Sequence, residues 1–114
     1  MRVIDRIPVC PHGGKEYISQ DLVNSLERLE SVLGHELTFS SGYRCEACNA
    51  AAGGVKNSAH MRGLAVDISA SSSADRYHLI YSAIRQGFAR IGIGRNFVHL
   101  DIDFSLPMHV LWLY

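Results

Sequence analysis

The stretch that most constrains this chain is Ser58-Ala59-His60-Met61-Arg62-Gly63-Leu64-Ala65-Val66-Asp67. It sets a single acid, Asp67, among Leu64, Ala65, Val66 and Ile68, seven residues beyond His60. An ionised carboxylate in an apolar strand is costly unless a cation or several donors meet it. His60, one short loop upstream, is a natural co-ligand for such a cation, and Gly63 permits a close turn between the two. A second apolar run, Phe97-Val98-His99-Leu100-Asp101, offers a third ligand. Two imidazole nitrogens and one carboxylate oxygen make the ligand set of a catalytic zinc site, with the fourth position left for water. Taken singly, His60 reads equally well as an exposed loop histidine, and His99 as a satisfied core histidine.

The flanking elements follow from periodicity and punctuation. Residues 1–17 carry Pro8, Pro11, Gly13 and Gly14 and read as loop with at most a short strand. Leu22, Leu26, Leu29 and Leu33 repeat at helical spacing, so a helix is predicted from Gln20 to Leu33, capped by Ser19 and closed by Gly34. A short strand over Leu37–Ser40 and a short helix over Arg44–Ala52 come next, then the Asp67 strand, Leu64–Ile68. Ser73 is the expected cap of a helix from Ala74 to Arg85, with Tyr77, Ile80, Tyr81 and Ile84 as its apolar face. Ala89–Ile93 and Phe97–Ile102, joined by Gly94-Arg95-Asn96, read as a hairpin, and Val110–Tyr114 as a last short strand or apolar tail. The order implies one α+β domain over residues 1–114: a small, mostly antiparallel sheet with helices packed on one side.

Charge and composition exclude some classes. With 114 residues, 47% hydrophobic and 19% charged, the chain suits one globular domain. Net charge is zero and no two Lys or Arg are adjacent, which argues against a nucleic-acid partner. No apolar run approaches the roughly 18 residues that span a bilayer, so membrane insertion is not expected. The first residues lack the apolar core of a signal peptide, so the expectation is synthesis in the cytoplasm and delivery, if any, by another route.

Ser58-x-His60-x-x-Gly63-x-Ala65-x-Asp67, preceded by Ser41-Gly42-Tyr43-Arg44 and followed by Phe97-Val98-His99-Leu100-Asp101, resembles the zinc D-alanyl-D-alanine carboxypeptidase family. The nearest likeness is to its short single-domain members, phage endolysins included. The resemblance runs from about Ser19 to Asp101, with the motifs in the family's order. It implies Zn2+ held by His60, Asp67 and His99, in a fold shared with the Hedgehog signalling domain. It further implies hydrolysis of D-Ala-containing peptidoglycan stem peptides by a water on the metal, with Arg44 in the active site binding or polarising substrate. Ser58 occupies the family's serine position, to hydrogen-bond substrate or to cap its own loop. Better-known members place Glu or Asp three residues before the last histidine ligand; here that residue is Asn96, which cannot act as a base. Asp101, on the same strand face as His99, is then the candidate base, or else the partner that orients a ligand histidine.

The chain is expected to act as a monomer. Cell-wall release of prophage type and cytosolic peptide recycling both suit it. Asn96 supports a rival, a non-catalytic zinc-binding module of the same fold, as in a phage structural or cell-wall-binding component. Cys10, Cys45 and Cys48 read as free thiols. A Cys10-x-His12 plus Cys45-x-x-Cys48 metal set, or a redox dithiol, is the alternative.

Overall fold

The computed structural model describes residues 1–114. The longest helix, α2 (Gln20–Leu33), starts where Ser19 Oγ accepts a hydrogen bond from the Leu22 N–H, and ends at Gly34. Leu22, Leu26 and Leu29 are buried along its inner stripe, and each contributes about 1.5–3 kcal/mol by leaving water.

The sheet has five strands in the order β1-β2-β4-β3-β5: β1 (Phe39–Ser41), β2 (Ala65–Ser69), β3 (Arg90–Ile93), β4 (Phe97–Asp101) and β5 (Val110–Leu113). All pairings are antiparallel except β3 with β5, which run parallel. Side chains alternate across a strand. Val66 and Ile68 of β2, Ile91 of β3, and Val98 and Leu100 of β4 thus join α2 and α4 (Ser73–Arg85) in one core of 18 buried residues. The opposite face carries the polar residues. Register aligns Asp67, His99, Gly92 and Trp112 in one row across the sheet, with Asp101 beside Arg90 in the next. This α+β architecture, a mostly antiparallel sheet with its two long helices on the core face, is the expected one.

Three expectations need correction. The first 17 residues are not merely loop: α1 (Val3–Arg6) and a 3-10 turn at Lys15–Tyr17 form there, and Val3 and Ile7 enter the core. The Arg6 guanidinium anchors α1 by pairing with Glu30 on α2 at 2.8 Å and donating to the Leu37 carbonyl. The α4 cap is Ser72, whose Oγ accepts from Asp75 N–H at 3.0 Å, one residue before the expected Ser73. Its buried face is Leu79 and Ala83, while Tyr77, Tyr81 and Ile84 are exposed. Small Ala83 lets the helix approach the sheet closely, and the bulkier residues turn outward. The remaining short helix, α3 (Glu46–Ala51), lies within its expected span.

Candidate functional site

His60 sits in a 3-10 turn over Ala59–Arg62, between β1 and β2. Ser58 caps that turn, its Oγ accepting from His60 N–H at 3.2 Å. Gly63 closes it at φ +70°, where an added Cβ would collide with the backbone of Tyr17 and Ile18. That conformation suits glycine and few other residues. The turn swings the His60 ring over β2, where its Nε2 lies 3.3 Å from Asp67 Oδ1. From β4, His99 Nδ1 reaches the same oxygen at 3.1 Å. The three expected metal ligands thus converge, with their donor atoms all within 4.8 Å of one another.

Each ring has its other nitrogen held from behind. Gly42 O lies 2.8 Å from His60 Nδ1, and Asp101 Oδ2 lies 2.7 Å from His99 Nε2. These acceptors place the ring protons on His60 Nδ1 and His99 Nε2. They leave His60 Nε2 and His99 Nδ1, the nitrogens nearest Asp67, with free lone pairs. Two aimed lone pairs and one carboxylate oxygen fit a divalent zinc ion in donor type, number and spacing. Burial works against the Asp67 charge, but with a proton on the ring nitrogens that face it the two imidazoles outweigh burial and hold the carboxyl well below the usual carboxylate range, and a divalent cation would take the place of those protons. Burial likewise lowers His99, and the flanking Asp101 and Asp67 overcome it, so its affinity for a proton is raised.

Asp101 is 1% exposed and fully engaged. Arg90 Nε donates to Oδ1 at 2.8 Å, Asp103 N–H donates to Oδ1 at 3.1 Å, and His99 takes Oδ2. Of its two expected roles, this geometry matches the histidine-orienting one. Asn96 is exposed in the β3–β4 connection and is not among the residues lining the cleft. Ser58 likewise fills the capping role while still lining the cleft wall.

The cleft over these groups has a volume of about 580 Å3 and is bounded by Arg44, Arg90, Leu106, Trp112 and Tyr114 as well. Arg44 lines the cleft, and its Nε is buried without a hydrogen-bond partner. The carboxylates lining the cleft are Asp67 and Asp101 alone. Trp112 packs 5.3 Å from the His99 ring, and the Arg90 guanidinium lies 5.1 Å above the indole. Gly92 makes this wall possible, since a Cβ there would meet both Trp112 and Tyr114 at 2.6 Å.

Arg90 escaped sequence reasoning, because an arginine opening a strand carries no signal of its own and only register sets it beside Asp101. Gly42 was equally silent, since its contribution is a backbone carbonyl. His35 and His109 lie exposed. A second cluster, Cys10, His12, Cys45 and Cys48, also assembles, although sequence analysis favoured isolated thiols. No helix is long and apolar enough to cross a membrane.

The family model described as Peptidase M15 matches residues 5–101, a span that holds the converging triad, Arg44 and Asp101. Trp112 and Tyr114 fall beyond it. No curated protein matches the chain.

Proposed function

The chain belongs to the peptidase M15 family of zinc-dependent metallopeptidases, and on that premise we propose that it hydrolyses an amide bond in D-Ala-containing peptidoglycan peptides. The observation that carries the proposal is the approach of two oriented imidazole nitrogens to one Asp67 oxygen, at 3.1 and 3.3 Å, on the floor of a cleft that also holds an unpartnered guanidinium. His60, Asp67 and His99 would hold the zinc, which would supply Lewis-acid polarisation of the scissile carbonyl and lower the pKa of water.

The protein's own side chains do the rest. Arg44 binds the substrate's terminal carboxylate or a carbonyl oxygen through its fork of donors. Asp101 keeps the His99 proton on Nε2, and Arg90 locks Asp101 in turn. Trp112 and Tyr114 wall the cleft on the β5 side, offering flat surfaces to a peptide or sugar.

The test is digestion of a D-Ala-terminated pentapeptide and of whole muropeptides by zinc-loaded protein, read as released D-Ala or new amine termini. Release should vanish with a chelator and in His99→Ala. Arg44→Gln should raise KM by about 10- to 100-fold, the worth of a hydrogen bond to a charged group, with a smaller effect on kcat.

One observation favours a second reading. Asp67 contacts both rings and Asp101 is closed by three donors, so the cleft holds no free carboxylate to accept a proton. A zinc-bearing module that binds cell-wall peptide without cutting it suits that arrangement. Protein that binds zinc and sediments with cell walls, yet cleaves none of these peptides, would establish that reading over the enzyme.

A further inference from the structure

Three sulfurs converge on one ring nitrogen outside the cleft. Cys45 Sγ and Cys48 Sγ each lie 3.3 Å from His12 Nδ1, and Cys10 Sγ lies 3.9 Å from it. An imidazole nitrogen makes a single hydrogen bond, so three sulfurs around it are not a hydrogen-bonded network. The dimensions are those of a coordination shell. With metal–sulfur bonds of about 2.3 Å and a metal–nitrogen bond of about 2.05 Å, the sulfur–nitrogen edge of a tetrahedron is about 3.6 Å. The three distances straddle that value. All four donor atoms lie within 4.8 Å of one another, and the three cysteines are free.

The local structure explains the convergence. Cys45 is the N-cap of α3 and Cys48 lies in its first turn, so the two sulfurs share one side of that helix. On the other strand of chain, the Cys10 carbonyl accepts from Gly13 N–H at 2.9 Å, a turn that folds His12 back toward Cys10. Val9 bridges to Tyr43, and Cys10 N–H donates to the Tyr43 carbonyl at 3.2 Å. That splice brings together two halves separated by more than thirty residues. Cys10 is buried, Cys45 and Cys48 are half-buried, and His12 covers them from outside.

We propose that Cys10, His12, Cys45 and Cys48 bind a second zinc ion in a closed, purely structural Cys3His site, separate from the cleft. Three thiolates and one imidazole fill a tetrahedral shell and leave no position for water or substrate. Binding releases the thiol protons to solvent. The site clips residues 10–12 to the start of α3, a helix of six residues that is too short to be stable alone. Between the two halves run Gly42, whose carbonyl orients His60, and Arg44 of the cleft wall. The clip therefore steadies the backbone that serves the cleft. The proposal stands whether or not the cleft cuts peptides.

The test is metal content of the full chain, purified under reductant and without chelator. Wild type should carry two zinc ions per chain. His99→Ala, which keeps all four clip donors, should carry one, and so should Cys48→Ser. With cobalt in place of zinc, His99→Ala should show thiolate-to-cobalt charge-transfer absorption in the near ultraviolet, and Cys48→Ser should lose it. The cobalt spectrum of His99→Ala does not depend on a cysteine variant folding. Its absence would overturn the proposal. Equal reactivity of the three thiols toward a thiol reagent in zinc and in chelator would overturn it too. Failure of peptide cleavage by a two-zinc protein would touch only the peptidase reading.

Discussion

Replacing Asp101 by Asn separates the two roles open to that residue. Asp101 Oδ2 lies 2.7 Å from His99 Nε2, in a site where both residues are at most 5% exposed. The carboxylate can only accept there, so it fixes the proton on Nε2 and frees the Nδ1 lone pair. An asparagine can turn its amide NH2 toward Nε2, which moves the ring proton to Nδ1, the nitrogen aimed at Asp67. The zinc site would then lose a ligand in part of the population. Partners behind metal-ligating histidines are worth about 10- to 100-fold in affinity, or roughly 1.4–2.7 kcal/mol. The upper half of that range is expected here, because the pair is buried and no water can replace the lost acceptor. The assay is competition for zinc against a chromogenic chelator, at a temperature where circular dichroism shows the variant folded. That control is needed because Asn also leaves the Arg90 guanidinium, 12% exposed, without its ion-pair partner. Peptide cleavage by Asp101→Asn should recover substantially at saturating zinc. Unchanged zinc affinity together with a collapse of kcat would refute the reasoning and make Asp101 the base.

Two further outcomes test the scaffold. Burial pushes the Glu30 carboxyl up, but Arg6 and the Leu37 N–H outweigh it, so its pKa falls below the ordinary 4.5. The stability it contributes is complete above that value and is lost as pH drops through the lower, folded one. Denaturant titrations from pH 6 to pH 3 should therefore show a steeper acid loss for wild type than for Glu30→Gln, and parallel curves would refute the assignment. Gly63→Ala forces a side chain into the left-handed region and against Tyr17 and Ile18, at a combined cost of about 2–5 kcal/mol. At roughly 4 °C per kcal/mol, its melting temperature should fall by about 8–20 °C, and a shift below about 2 °C would contradict the close approach.

Much of the molecule was legible where a signal is local. Helix α2, its Ser19 cap and its closing Gly34 follow from a stripe of leucines between two punctuating residues. The convergence of His60, Asp67 and His99 was legible for a different reason: an acid in an apolar strand needs an explanation wherever that strand lies. The N-terminal helix α1 was not legible, because four residues give no period, and α1 holds through Arg6 on Glu30 and through Val3 and Ile7 in the core. The α4 face was misassigned because tyrosines and isoleucines at helical spacing look like core. The sheet preferred a close approach at Ala83.

By itself, then, the sequence determined which side chains can bind a metal and which stretches alternate or repeat, since those properties belong to residue types and their spacing. Only the tertiary structure decided that Asp101 is closed by Arg90, that Gly42 aims His60, and that Cys10 and His12 meet Cys45 and Cys48. The first depends on strand register, the second on the 3-10 turn that carries His60, and the third on the Val9–Tyr43 bridge. Register is set by the summed burial of whole strands, and no short run of residues carries that sum.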